Sequence, residues 1–113
     1  YKDKSLVYAT DTEGYVGANK KLVLFARDTD LLIHDAQYTS EEYLNAYFSK
    51  QGYGHSTFDM ALETFSQAKA KSLAFFHFDP NYNDEFLLEI ENHYTENCKN
   101  CFITKEGQEI VLR

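Results

Sequence analysis

Asp11, Asp35 and His77 are residue types that bind metals or move protons, and each stands at the same place in a local pattern. Asp11 follows the apolar, β-favouring run Ser5 to Thr10. Asp35 follows Leu31-Leu32-Ile33-His34, and His77 stands near the end of the run Ser72 to Phe78. If the three runs are parallel strands, their C-terminal ends lie side by side and border the crevice where such sheets bind ligands. Two carboxylates and an imidazole gathered there could hold a divalent cation or pass a proton. Each residue also has a plain reading. Asp11 fits an ordinary turn, Asp35 a carboxylate leading into a helix, and His77 a core histidine satisfied by hydrogen bonds. His34 lies in the apolar word DLLIH and reads as structural, with a neighbouring backbone group as partner. His93 reads as a solvated helix residue. The pair Cys98 and Cys101 has C-x-x-C spacing, but a structural zinc wants four ligands and no second pair exists. Thioredoxin-like motifs open a helix after a strand, whereas this pair ends a helical stretch. Two reduced thiols or a disulfide is the reading that is left.

The elements that must position these groups alternate along the chain. The run Leu22 to Asp28 is too short for its period to decide between strand and helix. Thr39, with Glu42 three residues on, has the pattern of a capping box and opens a short helix carrying Tyr43, Leu44 and Tyr47. That helix stops before Gly52 and Gly54, which suit a loop. Ser56 or Thr57 caps the clearest helix, where Phe58, Ala61, Leu62, Phe65 and Ala68 recur as one apolar stripe. Pro80, the only proline, holds Asp79 extended and ends the strand before it. Asn83 caps a further helix with Asp84 and Glu85 in its first turn, where their charge suits the dipole. Cys101 to Thr104 and Glu109 to Leu112 read as a hairpin around Glu106-Gly107. The alternation implies an α/β fold with a largely parallel sheet and crossover helices.

Composition bounds what such a fold can do. The 113 residues suit one domain, at 43% hydrophobic and 26% charged, with nine Tyr and nine Phe to fill a small core. The net charge is -7 and no basic cluster runs beyond pairs such as Lys20-Lys21, which disfavours a nucleic-acid partner for this segment. Apolar runs such as Leu22 to Ala26 are far too short to cross a bilayer.

Four words, ATDTEG (9–14), DLLIHDAQYT (30–39), GYGHST (52–57) and FFHFDPNYND (75–84), together resemble the metallo-β-lactamase superfamily. The branch they are most similar to holds tRNA 3′-processing endonucleases and small phosphodiesterases. The words come in that family's order and span most of the chain. The resemblance implies that Asp11 bridges two metal ions and that His77 is the last metal-binding histidine. It implies that His55, in a Gly-His-Ser/Thr word, donates a proton or contacts phosphate while a carboxylate at Asp35 orients it. The endonucleases usually carry glutamate where Asp35 stands, so the reach here is shorter by one methylene. The family's H-x-H-x-D-H word, which supplies most metal ligands, is not in this sequence.

On this resemblance residues 1–113 would form the C-terminal αβ layer of an αββα sandwich, the other half lying upstream. The parent would hydrolyse a phosphodiester with two divalent ions, zinc by preference with manganese or iron open. Its expected substrate is a small phosphodiester such as a cyclic nucleotide rather than nucleic acid. It is expected to be cytoplasmic, without membrane contact, and homo-oligomeric. The chain alone is expected to be inactive. A non-catalytic, oligomerising half-domain and a tRNA 3′-processing endonuclease are the alternatives.

Overall fold

The structure is a computed structural model that describes residues 3–14, 18–44 and 54–112. Four strands, β1 (Leu6–Ala9), β2 (Leu31–Asp35), β3 (Leu73–Phe76) and β4 (Cys101–Ile103), form one sheet in the order β1-β2-β3-β4. Every neighbouring pair is parallel. The helices between them are α1 (Lys20–Phe25), α2 (Ser40–Tyr43), α3 (Phe58–Ala68) and α4 (Asp84–Thr95).

Local chemistry sets most of the boundaries. The side chains of Asn19, Thr39, Thr57 and Asn83 accept amide protons in the first turns of α1, α2, α3 and α4 respectively. At α2 the capping is one-sided. Thr39 Oγ1 accepts from the Glu42 amide, but the Glu42 carboxylate accepts from the Tyr82 hydroxyl instead of returning to the cap. Asn19 settles the ambiguous run at Leu22 as helix, because its side chain takes two otherwise orphaned amides. Tyr47 and Gly52, expected in a helix and the loop after it, lie outside the described residues.

A parallel sheet wound in one direction with right-handed crossovers carries all its helices on one face. The register shows which face that is. Val7, Leu32, Leu73 and Cys101 share one row, and Ala9, His34, Phe75 and Ile103 the next. All are buried, most of them in one apolar cluster with Val23 of α1, Phe58 and Ala61 of α3 and Ile90 of α4. Tyr8, Ile33, Ala74 and Phe102 form the row on the opposite face. There Tyr8 is 53% and Leu6 51% exposed.

The C-terminal tail departs from the hairpin expected of it. The turn is present, with Gly107 at φ 78 and the Gln108 amide bonded to the Lys105 carbonyl. Glu109 to Leu112 nevertheless form no strand, and β4 pairs in parallel with β3. Ile103 turns its amide outward from the sheet edge, where the Glu91 carboxylate of α4 accepts it at 2.7 Å. A returning strand is denied that donor. Cys98 and Cys101 form a disulfide that ties the end of α4 to the start of β4.

Candidate metal centre

The strand register brings the candidate residues to one rim. Ala9 and Phe75 lie in the same row on either side of His34, so Asp11 and His77 each stand two residues past that row. Strands two apart in a sheet are roughly 9.5 Å from one another, too far for direct contact. Left-handed backbone at Asp11 (φ 49) and His77 (φ 67) turns both chains where their strands end. The two side chains then meet above β2, with His77 Nε2 3.6 Å from Asp11 Oδ1. Positive φ is uncommon outside glycine, and Asp and His tolerate it better than most residues.

His55 enters from the loop before α3. Its Nδ1 lies 2.7 Å from Asp35 Oδ2 and 3.8 Å from Asp11 Oδ1. Its ring stacks on that of His77, with centroids 4.8 Å apart and planes within 13°. Because Asp35 offers only acceptor atoms when ionised, His55 Nδ1 carries the proton and Nε2 remains for other work. Asp35 is fully buried, and its second oxygen accepts the backbone amides of Gln37 (3.2 Å) and Ser56 (3.3 Å).

His34 stands next to this group but points to the helix face. Its Nδ1 donates to the Asp35 carbonyl at 2.7 Å, so Nε2 is an acceptor, buried and without a partner. Burial pushes the His34 pKa down, and the ring is neutral at pH 7. His93 is exposed on α4, edge-on to Tyr94, away from the rim cluster.

Glu13, Tyr43 and Ser56, to which the sequence assigns no role at the site, also shape the rim. Glu13 accepts the Tyr43 hydroxyl at 2.6 Å and the Gly54 amide at 3.0 Å, which joins the loop after β1 to the loop carrying His55. Burial and then the Glu13 carboxylate push the Tyr43 pKa up to about 12, so the phenol stays a donor. Ser56 spans the same joint. Its hydroxyl donates to the Thr12 carbonyl and accepts the Gly14 amide. A hydroxyl beside a histidine gives no charge signal, and its partners lie 42 and 44 residues away.

No protein-family model matches the chain. Ribonuclease Z of Thermococcus sibiricus is 34% identical over 110 residues, covering 97% of this chain and 32% of that protein. Ribonuclease Z of Pyrococcus furiosus is 40% identical over 108 residues, covering 95% and 31%. This chain thus spans about a third of the length of those relatives. Among solved structures, the metallo-β-lactamase-fold protein YhfI of Bacillus subtilis superposes with a TM-score of 0.71 over 95% of this chain and 39% of its own, at 18% identity. The chain carries an αβ layer of the metallo-β-lactamase fold.

Within this metallo-β-lactamase layer, donor atoms of Asp11, Asp35, His55 and His77 all lie within 4.8 Å of one another. Mixed carboxylate and imidazole donors at such spacing fit a divalent cation such as zinc. The four are not equally free to bind one. Asp35 has its oxygens occupied by His55 and two amides, whereas no hydrogen bond among the described residues engages the Asp11 carboxylate. Asp11 and His77 are thus the free donors, and two are fewer than the three protein ligands of a catalytic zinc.

Proposed function

We propose that residues 1–113 are the C-terminal part of a metal-dependent hydrolase that cleaves phosphodiesters. The observation that carries this reading is the meeting of Asp11, His55 and His77 at one sheet rim, with a buried carboxylate on Nδ1 of His55. Asp11 and His77 would hold divalent metal, with the remaining ligands supplied by a part of the parent not contained in these residues. Bound divalent ions supply Lewis-acid polarisation and acidify a water.

The chain's own residues do the rest. Asp35 fixes the His55 tautomer and stabilises its cation, as a carboxylate does beside a catalytic imidazole. His55 then holds a proton at Nε2 for the leaving oxygen of the phosphodiester. Asp11 and His77, which would hold the ions, stand just past the C-terminal ends of β1 and β3 beside the His55 ring. Residues that bind metal and residues that move protons thus share one rim.

Two substrate classes stand open. Relatives at 34% and 40% identity are named ribonuclease Z, which favours RNA and gives no support to the preference for a small substrate. The net charge of -7 favours a small phosphodiester, because an RNA-gripping surface would have to come from elsewhere in the parent. Both share one bond to be broken. The test is hydrolysis by the full-length protein of bis(p-nitrophenyl) phosphate, a cyclic nucleotide and a 3′-extended tRNA, with and without chelator. Chelator-sensitive cleavage of any of these supports the reading and ranks the classes. A folded, metal-loaded protein that cleaves none of them overturns it. Among the described residues no helix is long and apolar enough to cross a membrane.

A further inference from the structure

We propose that Ser56 is the positioning residue that sets the separation between Asp11 and His55. The proposal rests on the metal-centre reading above and assigns to an uncharged side chain the task of holding that centre together.

Ser56 is fully buried, and every polar group it has is used on loops of the rim. Its hydroxyl donates to the Thr12 carbonyl at 2.5 Å and accepts the Gly14 amide at 3.0 Å. Its amide donates to Asp35 Oδ1 at 3.3 Å, and its carbonyl accepts the amides of Gln37 at 3.0 Å and Tyr38 at 3.4 Å. One residue therefore grips the loop after β1, the carboxylate ending β2 and the loop after it, while bonded covalently to His55.

Asp11 needs that grip. Its side chain is 66% exposed, and its backbone sits in the left-handed region. Left-handed backbone at a residue other than glycine costs free energy, so the loop must be held for Asp11 to keep its place. The Ser56 hydroxyl fastens Thr12 and Gly14, the next residues along. Gly14 itself lies so close to α3 that an added Cβ would come within 3.0 Å of Met60 Cβ, so the loop has no room to slide toward the helix. Glu13, between the two fastened residues, reaches over to the Gly54 amide. The residues that follow Asp11 are thus bonded to Gly54 and Ser56, on either side of His55.

The experiment is chelator competition for the bound metal in the full-length protein, run well below each variant's melting temperature. Ser56→Ala should raise the metal dissociation constant by about 10–100-fold, the usual loss when a group supporting a ligand is removed. Ile90→Ala, in α4 against β4, serves as a destabilised control and should keep wild-type metal affinity. Asp11→Ala should abolish tight binding. If Ser56→Ala keeps wild-type affinity while Asp11→Ala loses the metal, the role of Ser56 is overturned and the metal centre stands. If Asp11→Ala also keeps its metal, the metal-centre reading itself fails. If Ile90→Ala loses affinity in step with its melting temperature as Ser56→Ala does, Ser56 is merely structural. Should Ser56→Ala not fold, Ser56→Cys is near in size and a weak hydrogen-bond partner, and it carries the same test and the same outcomes.

Discussion

At the residue scale the rim divides into groups free to act and groups already occupied. His55 is free at one nitrogen and bound at the other by Asp35. In the full-length protein His55→Ala should lower kcat by roughly 10²–10⁴-fold, as loss of a general acid does, with metal content retained. Metal loss in that variant would reassign His55 as a ligand. His34 makes a separate prediction. Its folded pKa is depressed by burial, so the unfolded chain binds more protons below its ordinary value of about 6.5. That contribution to stability is complete above pH 6.5 and is lost as pH falls toward the folded value. Melting temperature against pH should therefore fall less steeply below pH 6.5 in His34→Gln than in wild type. Parallel curves would contradict the assignment. Asp11, Asp35 and His77 were legible because each follows an apolar run, and parallel strands bring such ends together. Ser56 and Glu13 were not, since their partners are backbone groups or a tyrosine some 30 to 44 residues distant.

At the scale of elements, legibility followed length and capping. The stripe Phe58, Ala61, Phe65 and Ala68 and the caps Thr57 and Asn83 are local signals, and α3 and α4 begin where those caps stand. The six residues of α1 are too few for periodicity, and its cap decides it. The tail was misread because a turn between two apolar segments looks the same whether or not the second finds a partner. Only the tertiary contact from Glu91 to Ile103 shows that it does not. Thr57→Ala removes the cap that starts α3 beside His55 and should cost about 0.5–2 kcal/mol, measured by denaturant unfolding. An unchanged midpoint would mean that α3 does not depend on its cap. The Cys98–Cys101 link closes a very short loop, worth about 2 kcal/mol in the chain-entropy account. Reductant should lower the melting temperature of wild type and leave Cys98→Ser unmoved. No change in wild type would show that the bond contributes nothing in solution.

At the scale of the whole molecule, α3 and α4 pack against the sheet, and on its opposite face Leu6 and Tyr8 are each about half exposed. Tyr8 and Phe76 lie ring to ring at 5.2 Å across that face. An exposed apolar patch of this kind drives association. The 113-residue chain alone should therefore sediment as a dimer or larger, and Tyr8→Lys should shift it toward monomer. A wild-type monomer would contradict this expectation without touching the site. The parallel sheet and its helices were legible from alternation alone, whereas the exposure of Leu6 and Tyr8 on one face follows from strand order, which no local pattern encodes. The claim on which everything else depends is that Asp11 and His77 are metal ligands. Metal analysis of the purified full-length protein tests it most directly, with Asp11→Ala and His77→Ala alongside and folding checked by circular dichroism. The account predicts bound divalent metal in wild type and its loss, together with phosphodiester hydrolysis, in both folded variants. Folded variants that keep the wild-type metal content would contradict it.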